Sequence, residues 1–207
     1  MSKNDARFKL VEAMKKGANA PQIRALLDSM DSQERIVAVA QVRGTHIRAL
    51  YQLVARDEVV ECAPPLCVDD FVPPSIPAGA TVTFSGRNSL PLFSRFQKRF
   101  TRTADGLVFG YNHQPSRLAG AFTGPGYFLV TNSNDGSAGE VLFDYTKSPP
   151  FEPAGWPAYR PNDVLGSRFV FMNMLDRVRP VARGVVVGAA YRGEAMQNAY
   201  FTLTSTV

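Results

Sequence analysis

The fold class of this chain is decided by one stretch, Arg183-Gly-Val-Val-Val-Gly-Ala-Ala-Tyr-Arg-Gly193. An apolar run from Val185 to Tyr191 lies between two Arg-Gly pairs. Short apolar runs bounded by turn residues are typical of buried strands. Turns at both ends predict that this strand forms hairpins with the strand before it and the strand after it, which is the connectivity of an antiparallel sheet.

The same pattern recurs from residue 80 to the end of the chain. Predicted strands cover 80–85, 107–111, 117–123, 126–131, 140–145, 168–178, 185–191 and 199–204. They are joined mainly by turns rather than by long helical crossovers, so sequential strands should pair as an antiparallel meander. About eight such strands suffice to close a small barrel around one ligand cavity.

The residues before the strands have a different period. Four short amphipathic helices are predicted there, one of them starting at the capping-box sequence Asp31-Ser-Gln-Glu34. Five prolines follow in residues 61–79 and favour an extended connector, because proline blocks both helix and central strand. The predicted class is α+β, with a helical prelude at 1–60, a proline-rich connector at 61–79, and a lipocalin-like antiparallel β-barrel or strongly curved sheet at 80–207.

One long insertion, residues 146–166, breaks the rhythm of the strands. It contains five prolines and the only tryptophan of the chain, Trp156. Long connections with little regular structure are often functional lids. Because Phe151 and Tyr159 accompany the tryptophan, and aromatic side chains suit an ordered segment, we predict a proline-rich lid lying across the barrel.

The net charge of +5 is concentrated in residues 87–102. That segment has five basic residues and no acid, and removing them from the 23 Lys and Arg leaves 18, equal to the 18 Asp and Glu. A nucleic-acid-binding protein usually spreads its basic residues over a whole face. A nucleic-acid partner is therefore not expected.

The same segment predicts a helix that begins at Ser89. Phe93, Phe96 and Phe100 recur at spacings of three and four, which favours a helix with these rings packed on the barrel. The basic side of this helix is a candidate site for an anionic partner or ligand headgroup. Its residues are Arg95, Lys98, Arg99 and Arg102.

A candidate catalytic group is His113, in the stretch Phe109-Gly-Tyr-Asn-His-Gln-Pro115. Histidine titrates near neutral pH and can donate or accept a proton in a cavity. Asp144 or Asp176, each inside an apolar strand, could orient it. The alternative is that His113 belongs to a turn or contacts a ligand, and that an inward aspartate forms a buried ion pair with Arg117, Arg168 or Arg177, because an unpaired buried carboxylate is costly.

The sequence predicts neither a cofactor nor a metal site. Phosphate-binding glycine loops are absent, and two cysteines with two histidines do not form a zinc constellation at familiar spacing. The N-terminus has no apolar signal core, and no apolar run approaches the ~20 residues needed to cross a bilayer. We therefore expect a cytoplasmic protein; the oligomeric state stays open.

The last predicted strands carry a resemblance. They read Phe169-Val-Phe-Met-Asn-Met-Leu-Asp176, Arg179-Pro-Val-Ala-Arg-Gly-Val-Val-Val-Gly-Ala-Ala190 and Tyr200-Phe-Thr-Leu203. This order resembles the closing strands of small bacterial lipocalin-like (calycin) proteins, with the GXWXG-type proteins as the nearest pattern. The signature of that type is missing, since the chain reads Gly86-Arg-Asn-Ser-Leu90 where it would fall. The resemblance implies a ligand-binding barrel and transfers no catalytic residue.

Three functions are compatible with this sequence. The first is binding of a small hydrophobic molecule, of lipid, isoprenoid or polyketide type, in the barrel cavity. The second is a cofactor-free isomerase, cyclase or hydrolase that uses His113 in the same cavity, and the third is a protein-interaction module that uses the helical prelude. The predicted ligand-binding residues are Phe109, Tyr111, Asn112, His113, Arg117, Phe122, Tyr127, Phe128 and Trp156.

Overall fold

The structure, a computed structural model, describes residues 3–56, 65–90, 94–114, 124–133, 139–163 and 171–206. Its helices are α1 (Lys3–Lys15), α2 (Ala20–Asp28), α3 (Ser32–Val39) and α4 (Thr45–Arg56), followed by a short 3-10 helix, Val68–Asp70. Its strands are β1 (Val82–Asn88), β2 (Arg95–Arg102), β3 (Val108–His113), β4 (Tyr127–Asn132), β5 (Val141–Asp144), β6 (Met174–Ala182), β7 (Val185–Arg192) and β8 (Ala195–Ser205).

The eight strands form a closed antiparallel barrel. Each strand pairs with the next one along the chain, and β1 pairs with β8 to close the cylinder. The predicted α+β class, with four N-terminal helices before an antiparallel barrel, is confirmed.

The helix predicted from Ser89 to Arg102 is wrong, because residues 95–102 are strand β2. Phe96, Lys98 and Phe100 alternate toward the barrel interior, while Arg95, Gln97 and Arg99 point outward. A strand is recognised in a sequence by the alternation of apolar and polar residues. Because the charged Lys98 occupies an inward position, this alternation is interrupted in β2. β2 is one of the eight strands of the barrel. The strand predicted at 117–123 lies outside the described residues.

Three inward-facing glycines are each covered by a phenylalanine ring from the neighbouring strand. The cross-strand pairs are Gly86–Phe96, Gly110–Phe128 and Gly188–Phe201. A Cβ added at Gly188 would lie 2.3 Å from the Phe201 ring, and one at Gly86 would lie 2.6 Å from the Phe96 ring. The glycines therefore let three rings lie flat against the wall, and glycines within strands are one means by which small barrels curve and close.

One end of the barrel is closed by the segment that follows the helices. Phe71 is fully buried, with its ring centroid 5.1 Å from those of Phe100 and Phe143 and 5.6 Å from that of Phe84. Arg102 ties this segment to β2, since its Nη2 lies 2.6 Å from Asp69 Oδ1 and also donates to the Val72 carbonyl. Residues 65–79 thus form a plug as well as a connection.

The outer wall of the barrel is covered on two sides. Apolar residues of α2 and α4, among them Ile23 and Leu50, share one core with Val185, Val187 and other outward residues of β6–β8. Residues 146–163, which we call the strap, cover β3 and β4 on another side. The strap is anchored by Trp156 Nε1, which donates to Thr81 Oγ1 at 2.9 Å.

The strap is the described part of the predicted lid. Tyr127 donates from its hydroxyl to the Pro157 carbonyl at 2.7 Å, and Trp156 packs on Tyr111 with ring centroids 4.7 Å apart. The segment therefore lies along the outer wall of the barrel. No helix within the described ranges has the length and apolar character to span a bilayer.

Candidate functional site

A cavity of about 360 Å³ opens at the end of the barrel opposite the plug. Its walls come from residues of β1, β2, β3, β6, β7 and β8, and from residues that follow β3 and β5. The apolar lining includes Leu90, Phe96, Phe171, Met174, Ala190 and Phe201. The polar lining includes Asn88, Lys98, Asn112, Gln114, Tyr145, Asp176, Arg192 and Gln197.

A buried polar cluster forms the floor of this cavity. Lys98 Nζ lies 3.1 Å from Asp176 Oδ2, donates to Asn112 Oδ1 at 2.9 Å, and also donates to the Tyr145 hydroxyl. Tyr145 in turn donates to Asp176 Oδ2 at 3.2 Å. Asn112 is oriented by its Nδ2, which donates to the Gly126 carbonyl at 3.1 Å. All four side chains are therefore held in one hydrogen-bonded set.

The ammonium of Lys98 sits among aromatic rings. Its Nζ lies 4.5 Å from the ring centroid of Phe128, 5.0 Å from that of Phe201 and 5.1 Å from that of Phe143. A cation over the face of a ring is attracted by the ring quadrupole. These contacts and Asp176 together offset part of the cost of removing the charge from water.

Burial shifts the pKa of each titratable member of the cluster. Lys98 and Asp176 are each 2% exposed. Burial lowers the pKa of Lys98 against the opposing attraction of Asp176, and burial raises the pKa of Asp176 against that of Lys98. The pKa of Tyr145 is raised well above its usual value by burial and by the nearby Asp176 carboxylate. Tyr145 is therefore a neutral hydroxyl donor at physiological pH.

The cluster is electrically balanced. One ammonium faces one carboxylate, so the floor of the cavity carries no net charge when both are ionised. A second anion placed there would leave an excess negative charge in a buried site, which is costly. A carbonyl or hydroxyl oxygen of a ligand would accept from Lys98 or Tyr145 without that cost.

Some of the predicted site residues do meet in the interior. Asp176 and Asn112 belong to the floor cluster, and Phe128 packs against the Lys98 ammonium. The predicted partners of an inward aspartate were arginines, and that expectation is wrong for Asp176, whose partner is Lys98. Arg177 instead contacts Glu140 on the outer wall, with Nη1 and Oε2 2.9 Å apart.

His113 and four of the predicted wall aromatics lie on the outside of the barrel. Phe109, Tyr111 and Tyr127 form a separate cluster under the strap, with Trp156 packed on them. His113 is on the same outer face, with its Nδ1 3.4 Å from the Tyr111 hydroxyl. Burial and the neighbouring Arg99 lower the pKa of His113. The expectation that His113 acts in the cavity is not supported by this placement.

Asp144 also points away from the cavity. Its Oδ1 accepts from the backbone N of Thr146 at 2.8 Å and from the Thr146 hydroxyl at 2.6 Å, so it shapes the turn after β5. Strand alternation places Phe143 inside and Asp144 outside. Arg117, Phe122 and Arg168 lie outside the described residues.

The four basic residues proposed as an anion-binding surface do not lie together. Lys98 is inside the barrel, and the prediction that it is exposed is wrong. Arg102 is engaged by the plug, and Arg99 contacts Gln97 and the Tyr111 hydroxyl at 3.2 and 3.3 Å. Of the four, only Arg95 is exposed.

Sequence reasoning missed two members of the floor, Lys98 as an interior residue and Tyr145 as a hydrogen-bonding centre. The one usable signal was the alternation Phe96-Gln-Lys98-Arg-Phe100, which places the lysine on the apolar face of a strand. Within the described ranges no cluster of His, Cys, Asp and Glu is suited to hold a metal ion. Comparison of the chain with protein-family models, curated proteins and solved structures finds no match.

Proposed function

We propose that the protein binds a small, mostly apolar molecule in the barrel cavity, with a neutral oxygen of that molecule on the Lys98 cluster. The observation that carries this proposal is a balanced, buried Lys98–Asp176 pair at the floor of a cavity that opens to the outside. Small-molecule sites are typically concave and apolar, with a few well-placed polar groups. A closed eight-stranded barrel is compatible with such a function.

The cavity favours a particular class of ligand. Its volume of about 360 Å³ is at the small end of the range for drug-sized molecules. Its apolar wall suits an isoprenoid- or polyketide-type body, and its neutral floor favours an aldehyde, ketone or alcohol over a carboxylic acid. The lipocalin-like resemblance of the last strands points toward the same class of ligand-binding barrel.

A matched series of chain compounds tests the proposal. Decanal, decanol, decanoic acid and decane share a length and differ in the polar end, and their binding is measured by isothermal titration calorimetry. We expect decanal and decanol to bind at least ten times more tightly than decane, which is about 1.4 kcal/mol of interaction at the floor. Native mass spectrometry of freshly purified protein identifies any molecule that co-purifies.

Two variants connect that binding to the cavity. Lys98→Met removes the polar preference, while Lys147→Met, at an exposed lysine of the strap, leaves it unchanged. Since Lys98→Met leaves Asp176 unpaired, Ala190→Leu provides a second variant that fills the cavity without changing its charge. The proposal fails if no compound binds, or if Ala190→Leu and the parent protein bind the series equally.

The same cluster also favours an enzyme as a second candidate function. A carbonyl oxygen held by Lys98 and Tyr145 would be polarised, and the Asp176 carboxylate could take the proton from the adjacent carbon. The product of that step is an enolate whose oxygen is stabilised by the two donors. Returning the proton to another carbon would complete an isomerisation.

Deuterium exchange separates binding from this reaction. Decanal is incubated with the protein in D₂O, and loss of the α-proton signal is followed by NMR. An enzyme accelerates the exchange, Asp176→Asn abolishes the acceleration, and His113→Ala preserves it. Binding without accelerated exchange would leave the binding function standing and remove the enzymatic one.

A further inference from the structure

A second cavity lies outside the barrel, between α3 and the strands β1 and β2. Its volume is about 540 Å³. One wall is mainly apolar and comes from α3 and the residues just after it, including Ile36, Val37 and Ala40, with Arg7 of α1 at the same side. The facing wall is basic and comes from the outward side of β1 and β2, with Arg87 and Arg95. The two walls differ sharply in character, so an occupant would need one apolar part and one anionic part.

Arg87 is the central residue of the basic wall. It is 6% exposed, and its buried Nε has no hydrogen-bond partner among the described residues. Thr204 lines the same cavity, and its buried hydroxyl also lacks a partner in the part of the chain that the structure describes. Native structures pair almost all buried polar groups, so two such atoms at one cavity indicate a missing partner.

The charges around Arg87 are repulsive. Its direct cross-strand neighbour is Arg95, and like charges at opposed positions destabilise a strand pair. The positive charges of Arg43 and Arg95, after the larger effect of burial, lower the pKa of Arg87. No carboxylate among the described residues forms an ion pair with it. A buried cation in a field of cations is costly unless an anion completes it.

We propose that this cavity binds the phosphate group of a small organic phosphate monoester. The planar guanidinium fork of Arg87 matches the geometry of phosphate oxygens, and Arg95 is placed across the strand to contact the same group. The Thr204 hydroxyl supplies a further donor. The apolar wall of α3 would cover the organic part of the ligand, which a cavity of about 540 Å³ can accommodate beside the phosphate.

This site does not depend on the function proposed for the barrel interior. Arg87 points outward from β1, whereas Lys98 points inward from β2. The two cavities share only Phe96 among their lining residues. A ligand could occupy either site with the other empty.

The test uses the full chain with two probes, inorganic phosphate and phenyl phosphate, in a phosphate-free buffer. Affinity is measured by isothermal titration calorimetry, and Tm is followed at constant ionic strength with sodium chloride as the salt control. We expect phenyl phosphate to bind at least tenfold more tightly than inorganic phosphate, because its ring contacts α3. Equal affinity for both probes would mean that the site holds free phosphate and would overturn the monoester assignment.

Arg87→Met is the decisive variant. It should lose at least tenfold in affinity for phenyl phosphate, while its Tm without ligand stays equal to or above that of the parent protein. Arg160→Met, at an exposed arginine of the strap, is the matched control and should change neither value.

Arg95→Met gives a second reading at an exposed position whose loss does not endanger folding. It should weaken phenyl phosphate binding severalfold. The proposal is overturned if sodium chloride alone reproduces the rise in Tm, or if Arg87→Met and Arg95→Met both bind phenyl phosphate as the parent protein does.

Discussion

Lys98 and Arg87 are two buried cations on neighbouring strands of one barrel wall, and they face opposite sides of it. Lys98 is 2% exposed and has a carboxylate, a tyrosine hydroxyl and an amide oxygen around its ammonium. Arg87 is 6% exposed and has other arginines nearby. Two side chains of the same sign and similar burial therefore sit in opposite electrostatic surroundings.

The difference shows that burial alone does not say what a charged residue does. A compensated cation such as Lys98 adds hydrogen-bonding capacity to a cavity without adding net charge. An uncompensated cation such as Arg87 keeps its charge available for a ligand. The first arrangement suits a neutral oxygen and the second suits an anion, which is why the two cavities favour ligands of different charge.

The largest expected effect on stability comes from depriving Lys98 of its carboxylate partner, so that it is buried without a counter-charge as Arg87 is. Asp176→Ala removes the carboxylate and leaves the Lys98 ammonium buried without its counter-charge. Breaking a buried pair in this way typically costs about 3–5 kcal/mol of the free energy of unfolding. Urea denaturation measures the loss.

Asp144→Ala is the matched control for that change. Asp144 lies on the outer face and only orders the turn at Thr146, so its removal should cost about 1 kcal/mol. Equal losses for the two aspartates would show that the ion pair has no special role.

A smaller effect is expected when both charges are removed together. Lys98→Met combined with Asp176→Leu replaces the pair by apolar side chains, and such replacements are often neutral or stabilising, with changes within about 1–4 kcal/mol. We expect the double variant to unfold at or above the urea midpoint of the parent protein. It should also lose its preference for decanal over decane. A double variant as unstable as Asp176→Ala would contradict the view that compensation is what stabilises Lys98.

Arg87→Met should change stability less. In phosphate-free buffer it removes an unpaired charge and keeps the aliphatic stem, so we expect the free energy of unfolding to rise by about 0.5–1 kcal/mol. Urea denaturation with and without phenyl phosphate measures this. If Arg87→Met instead lowers the free energy of unfolding by more than that amount without ligand, the Arg87 charge is already stabilised within the protein. Arg87 would then no longer differ from Lys98 in its electrostatic surroundings.

The smallest effect is in the dependence of stability on pH. Burial lowers the pKa of Lys98 below its unfolded-state value of about 10.4. The stabilising contribution of Lys98 to the free energy of unfolding is therefore present above that value and is lost as pH falls through the folded-state pKa. Burial raises the pKa of Asp176, so its contribution is present below about 3.9 and is lost as pH rises through the folded-state pKa. The free energy of unfolding of the parent protein, relative to that of the double variant, should therefore be lowest near neutral pH.

That dependence can be checked by urea denaturation of both proteins from pH 5 to 10. A Lys98 ¹³Cε chemical-shift titration measures the folded-state pKa directly. A midpoint at or above the usual lysine value would contradict the lowering of the Lys98 pKa by burial.

The architecture could be predicted because turn residues flank most of the strands in the sequence. The stretch 183–193 has an Arg-Gly turn at each end, and the structure places β7 there as Val185–Arg192. The exception was β2, where Lys98 occupies an inward position. A lysine inside a barrel requires a partner from elsewhere in the chain, and Asp176 lies 78 positions away. The residues that flank Lys98 in the sequence do not indicate that contact.

The functional residues were harder to predict because β3 is buried on both faces. Tyr111 faces the strap, and its neighbour Asn112 faces the cavity, yet both are nearly inaccessible. When both sides of a strand are covered, apolar and aromatic residues occur on each, and alternation no longer tells inside from outside. Phe109, Tyr111 and Tyr127 were therefore assigned to the wrong face. Phe128, Asn112 and Asp176 were correctly placed in the interior.

The position of the plug in the chain has a consequence for how the molecule is assembled and divided. Phe71 precedes all eight strands, so during synthesis the plug emerges before the barrel that it closes. A fragment starting at residue 80 would form a tube open at both ends, with the rings of Phe84, Phe100 and Phe143 facing water. Any fragment that keeps this end of the barrel closed must therefore begin upstream of Leu66.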